Sequence, residues 1–128
     1  MTTVAALVYL HRMGFEFRAE GGRLLCRAPA APPADAAAAL AVLRAHRDEA
    51  AALLAWPPDS WEAAARFGHA DALLYPYLGC EVDAPAGPAV LRQVLGGWAV
   101  VHRAGAERVE RVRVSDVRPA GGVGARVG

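Results

Sequence analysis

At 128 residues the chain has room for one ordinary domain or two very small ones. Hydrophobic residues make up 55% of it, which excludes disorder over most of its length. A formal net charge of +1 leaves no global field to draw in nucleic acid or an anionic membrane. All 14 basic residues are Arg, and with the abundant Ala this reads as a GC-rich coding bias more than a selected chemistry. No apolar run reaches the ~18 residues of a membrane span. Arg12 follows the N-terminal apolar stretch and no cleavage-like site comes after it, so no signal peptide is expected. The cysteines, Cys26 and Cys80, lack short spacing and are expected as buried free thiols of a cytoplasmic protein.

Val4, Leu7, Val8 and Leu10 fall at helical spacing, predicting a helix over 4–13 with Gly14 as its C-terminal cap. Phe15, Phe17 and Ala19 then alternate with Glu16 and Arg18, the pattern of a strand buried on one face. Gly21-Gly22 supplies the positive φ angles of a tight hairpin turn. On the return strand Leu24, Cys26 and Ala28 point one way and Arg23, Leu25 and Arg27 the other. Pro29, Pro32 and Pro33 end the hairpin. Asp35 stands where a carboxylate favours the start of a helix, and Leu40, Leu43, Leu53 and Leu54 anchor helical stretches over 34–54. The polar residues 45–49 mark a bend between them.

The order helix, hairpin, helix, helix resembles the N-terminal docking domain of the tubulysin type, the TubC family. The resemblance rests on Leu7, Leu10, Gly14, Gly21, Gly22, Leu24, Ala28, Pro29, Leu40, Leu43, Arg47, Glu49, Leu53 and Leu54. Such domains head nonribosomal peptide synthetase subunits, tend to be homodimers, and grip a short linear peptide with the exposed hairpin. Carried onto this chain, the resemblance implies a peptide- or partner-binding face of Arg18, Arg23, Leu25 and Arg27 beside a free strand edge. An acidic extended peptide would suit that face. The plainer reading is a solvated strand face that keeps the hairpin soluble. No condensation or adenylation domain follows within these residues, which suggests a fold reused for a different partner.

Beyond Trp56-Pro57-Pro58, Ser60 is expected to cap a helix starting at Trp61 and stopping at Gly68. A short aromatic stretch over 71–78 follows, with Pro76 as its stop. Trp56, Trp61, Phe67, Tyr75 and Tyr77 either glue this connector to a core or make a base-stacking platform, and packing is the commoner use. From Gly79 the texture changes to four short strands joined by Gly/Pro turns, predicting a small barrel or a strongly twisted sheet. Gly79, Val82, Pro85, Gly87, Leu91, Val94, Val112, Asp116, Val117 and Pro119 form a pattern similar to SH3-like barrels of the KOW and Tudor kind. The candidate nucleic-acid face there is Arg103, Arg108, Arg111, Arg113 and Arg118, with Glu107, Glu110 and Asp116 interspersed; a solvated outer face is the alternative. Gly121, Gly122 and Gly124 read as a frayed tail.

His11, His46, His69 and His102 are scattered without ligand spacing, so no metal site is expected. Ser60 and Ser115, the only serines, read as cap and turn residues. No catalytic set or cofactor motif stands out. The sequence therefore predicts an α+β chain: a docking-type α-β-β-α-α module over 1–55, a helical aromatic connector over 56–78, an SH3-like small β-barrel over 79–119 and a flexible tail over 120–128. The expected role is a non-enzymatic adaptor that binds a linear peptide or partner subunit through the hairpin, self-associates, needs no cofactor and avoids membranes. A small nucleic-acid-binding accessory protein using the barrel's basic face is the alternative.

Overall fold

The structure is a computed structural model and describes residues 1–120. It is mixed α+β, and the chain divides into two compact units, Met1–Leu54 and Ala55–Gly128.

In the first unit, α1 (Thr3–Arg12) begins at Thr2, whose hydroxyl oxygen accepts a hydrogen bond from the Ala5 N–H at 3.1 Å. Ala6, Leu7 and Leu10 are fully buried. Gly14 takes a φ of +96° that lets the chain reverse, and the Phe15 N–H returns to the Leu10 carbonyl at 3.0 Å. Phe15 thus becomes the aromatic plug of the unit, 2% exposed. The hairpin of β1 (Glu16–Glu20) and β2 (Arg23–Arg27) turns at Gly21 and Gly22, with φ of +57° and +77°. Then α2 (Ala36–Ala45) packs on α1 and gives way at His46 to α3 (Arg47–Leu53). Thr3 donates to the Glu49 carboxylate at 2.6 Å, tying α3 to α1. Asp35 precedes α2 without a side-chain cap bond, so its contribution there is one of charge against the helix dipole. Leu43 and Leu53 are buried as anchors, while Leu40 and Leu54 stay half-exposed.

The second unit opens with α4 (Pro58–Phe67), which Gly68 caps in the left-handed conformation. The expected cap at Ser60 and start at Trp61 are corrected: Pro57 is the cap, Pro58 takes the first turn, and Ser60 lies buried inside the helix. Pro76 does not stop the next stretch either, since a 3-10 segment runs from Ala70 to Tyr77 straight through it. Proline's fixed φ suits a 3-10 turn, and only its missing N–H is lost. Trp56 meets Tyr77 edge-on at 5.5 Å, and both are buried with Trp61. Those three aromatics therefore pack, as expected of glue, whereas Phe67 is 51% exposed beside a half-exposed Tyr75.

The sheet of this unit has five strands rather than four: β3 (Glu81–Ala84), β4 (Gly87–Leu95), β5 (Trp98–His102), β6 (Glu110–Arg113) and β7 (Arg118–Pro119). All neighbours are antiparallel, in the order β6-β5-β4-β3-β7. A bulge between Leu91 and Gln93 bends β4, and a 3-10 turn (Val114–Asp116) delivers β7 to the far side of β3. No pairing joins β6 to β7 among the described residues, so the expected barrel is an open sheet. Its inner face buries Val82, Leu91, Ala99 and Val101 completely, Val117 just before β7 is fully buried too, and the 3-10 segment, whose Ala72 and Leu74 are fully buried, packs against β4. The tail expected beyond Ala120 lies outside the described residues. Among the described residues, no helix is long and apolar enough to cross a membrane.

Candidate functional site

The hairpin is a complete sheet of two strands, so each strand has one outer edge with no strand beside it among the described residues. Its register pairs Glu16 with Arg27, Phe17 with Cys26, Arg18 with Leu25, Ala19 with Leu24 and Glu20 with Arg23. Cross-strand partners share a face. Arg18, Arg23, Leu25 and Arg27 are therefore brought together on one outward face, as the alternation implies. Glu16 and Glu20 belong to that face too, and the same period of two makes them readable from sequence. Three Arg against two Glu leave it only slightly cationic. Arg18 reaches Glu20 at 3.3 Å, but both side chains are more than half exposed, so the pair contributes little. Leu25 is half-exposed among them. Around the middle of the hairpin a groove of about 320 Å³ is lined by Glu16, Phe17, Arg18, Leu25, Cys26 and Arg27.

The opposite face is not buried as expected. Phe17 and Leu24 are half-exposed, and Ala19 and Cys26 are exposed, because α2 and α3 leave a second groove of about 430 Å³ beside the hairpin. Phe17, Leu24, Cys26 and Leu43 give that groove its apolar lining, and Arg44 and Arg47 its charge. Both cysteines are exposed, which corrects their assignment as buried thiols. Partial desolvation still pushes the Cys26 thiol above its ordinary pKa, against the opposing pull of Arg44.

In the second unit the five candidate arginines separate into three kinds. Arg103 is a staple: its guanidinium donates to the Glu110 carboxylate at 2.9 and 3.2 Å, to the Gly87 carbonyl at 2.9 Å and to the Pro85 carbonyl. Arg118 donates to the Ser115 and Val117 carbonyls at 2.7 and 2.8 Å. Both guanidinium groups are thus held by neighbouring groups of the same unit. Arg108 is exposed before β6. Arg111 and Arg113 leave β6 on one side, and each guanidinium carbon stands 4.7 Å from the Trp98 ring centroid. Reading the sequence could not find Trp98 as their partner, since the pairing of β5 with β6 spans a loop with no register signal. The hydrogen bond from Arg103 holds the Glu110 carboxyl below the usual carboxylate pKa.

Among the described residues, no group of three or more His, Cys, Asp or Glu side chains could hold a metal ion. Ser60 is buried with its hydroxyl lacking a hydrogen-bond partner, and Ser115 is exposed in the 3-10 turn. His69 lies 3.4 Å from the Tyr75 hydroxyl on an exposed aromatic cluster with Phe67. No protein-family model, curated protein or solved structure matches the chain.

Proposed function

We propose that the chain is a protein–protein docking adaptor whose first unit takes an extended peptide or partner segment along the hairpin, and that the same unit self-associates. One observation carries the reading: a two-stranded sheet with both outer edges unpaired among the described residues and apolar side chains half-exposed on both faces. A strand added to either edge would satisfy the row of free backbone groups. The groove at Leu25 gives an apolar anchor on the outward face, and Arg23 and Arg27 offer charge-assisted hydrogen bonds to carboxylates of the incoming segment. The resemblance to TubC-type docking domains supports the same assignment. The nearly balanced charge of the face favours a segment carrying a few acidic residues around an apolar one, not a polyanion.

The test is anisotropy of labelled extended peptides, acidic and neutral, titrated with the whole protein. The double reversal Arg23→Glu and Arg27→Glu is expected to weaken acidic peptides by at least tenfold, since one charge-assisted bond is worth ~1.5–3 kcal/mol. Unchanged binding in that variant overturns the reading. Sedimentation of wild type and Leu25→Asp over a range of concentrations tests self-association: a dimer lost in the variant places the contact on the hairpin.

A further inference from the structure

The outer face of the second sheet holds an aromatic and cationic group that the docking role leaves without a task. The register sets Trp98 of β5 opposite Leu95 of β4 and Arg113 of β6, and sets Val100 opposite Arg111. These five side chains share the solvent side, while Ala99 and Val101 between them are fully buried on the other. Trp98 is half-exposed, and Leu95 beside it is 70% exposed. Both guanidinium groups stand over the indole ring at 4.7 Å. Cation–π attraction at this range restrains two long side chains that would otherwise sweep through solvent.

We propose that Trp98, Arg111, Arg113 and Leu95 form a binding face for single-stranded nucleic acid. Four physical features favour that ligand. Two residues apart on one strand, the two Arg are about 7 Å apart at their Cα atoms, a spacing that consecutive phosphates of an extended single strand can follow. An indole and two guanidinium planes offer stacking surfaces that accept any base. Holding the Arg side chains in place before binding lowers the entropy cost of ordering them. Finally, the charged residues that face this side from β5 and β6 are both Arg. The Glu110 carboxylate at the head of β6 is taken up by Arg103, and the outward-facing Glu81 and Asp83 sit on β3, beyond β4. A polyanion is thereby steered along β5 and β6. An acidic peptide would use the two Arg but gain little from the ring, and a duplex would hide the base faces that stacking needs.

The experiment is anisotropy of a labelled oligothymidylate against the whole protein, with indole fluorescence as a second readout. Trp56 and Trp61 are buried, so quenching by the oligonucleotide reports on Trp98. Two phosphate contacts predict that raising salt from 50 to 200 mM weakens binding about sevenfold. Trp98→Ala is expected to cost at least about fivefold, one stacked base, while Trp98→Phe retains most of the affinity. Arg111→Gln with Arg113→Gln, on an exposed strand, should abolish both binding and salt dependence with an unchanged circular dichroism spectrum. Arg23→Glu with Arg27→Glu should bind as wild type, which separates this face from the hairpin. Absence of binding at 50 mM salt overturns the proposal. So does equal competition by polyglutamate or preference for duplex DNA, which would reassign the face to an acidic protein or to backbone charge alone.

Discussion

The two sheets of this protein are written in the same local code and end in opposite states. Each has strands of alternating polarity around a Gly-Gly turn, and the turn angles nearly coincide: φ of +57° and +77° at Gly21 and Gly22, +58° and +83° at Gly96 and Gly97. Yet β3, β4 and β5 bury Val82, Leu91, Ala99 and Val101 completely, whereas no residue of β1 or β2 is buried. The alternation fixes which side chains share a face, and the turn fixes which strands pair. Neither decides what covers the face. In the second unit three more strand pairings and the 3-10 segment supply the cover. In the first, an isolated hairpin of a kind that is marginal in water stands beside helices that leave a groove open. Half-exposed Phe17 and Leu24 on one face and half-exposed Leu25 on the other make the hairpin a candidate docking element.

The widest gap between the sheets is expected in their response to losing a leucine. Leu91→Ala removes a fully buried side chain and should destabilise the second unit by about 2–5 kcal/mol. Leu24→Ala, at a half-exposed site, should cost under about 1 kcal/mol. All three tryptophans, Trp56, Trp61 and Trp98, lie in the second unit, so denaturation followed by indole fluorescence isolates the first effect. Amide exchange in β1 and β2 isolates the second. Equal penalties would break the comparison and mean that the inner face of the hairpin is covered in solution.

The two turns offer a finer contrast. Asp71 accepts a hydrogen bond from the Gly97 N–H at 2.7 Å, and the Gly97 carbonyl accepts one from the Val114 N–H at 3.0 Å. A side chain from the 3-10 segment thus pins one Gly-Gly turn, while among the described residues no carboxylate accepts from the turn at Gly21 and Gly22. Asp71→Ala should cost about 1.5–3 kcal/mol, the value of a hydrogen bond to a charged group. The Gly97 amide should exchange far faster in the variant, towards the rate at Gly22. A Gly97 amide that exchanges as fast as Gly22 in the wild-type protein would show that the clamp does not hold in solution.

Which parts of this were legible beforehand follows from the range of the forces involved. Helix α1, the hairpin, the left-handed caps at Gly14 and Gly68 and the break at His46 are set by neighbours in sequence, and they stand where the pattern puts them. Ser60 misled because a serine before an apolar run reads as a cap, while Pro58 two residues earlier was better suited to the first turn. Pro76 misled because proline stops an α-helix but fits a 3-10 segment. The open inner face of the hairpin, the carbonyls that occupy Arg103 and Arg118, and the seat of Arg111 and Arg113 on Trp98 all depend on contacts between distant residues. An exposed Arg in a loop looks the same in sequence whether it is anchored or waiting for a ligand.

The smallest effect separates two ion pairs that sequence alone would treat alike. Arg18 and Glu20 approach to 3.3 Å with side chains 73% and 65% exposed, and solvent screens most of their attraction. Arg103 is only 19% exposed at its side chain, is held by two backbone carbonyls, and presents its guanidinium to Glu110 in a fixed position. The Glu110 carboxyl is accordingly lowered from its ordinary pKa, first by the hydrogen bond from Arg103. A carboxyl whose folded pKa is lowered binds protons more readily when unfolded. Its stabilising contribution is therefore fully present above the ordinary glutamate pKa and is lost as pH falls through the lowered folded value. Glu110→Gln should flatten the acid limb of the melting temperature against pH and leave the neutral limb parallel to wild type. Arg18→Ala should leave both limbs where they are. If the two variants shift the acid limb equally, the anchoring of Arg103 by backbone carbonyls does not distinguish the pairs, and exposure alone would have to account for their strengths.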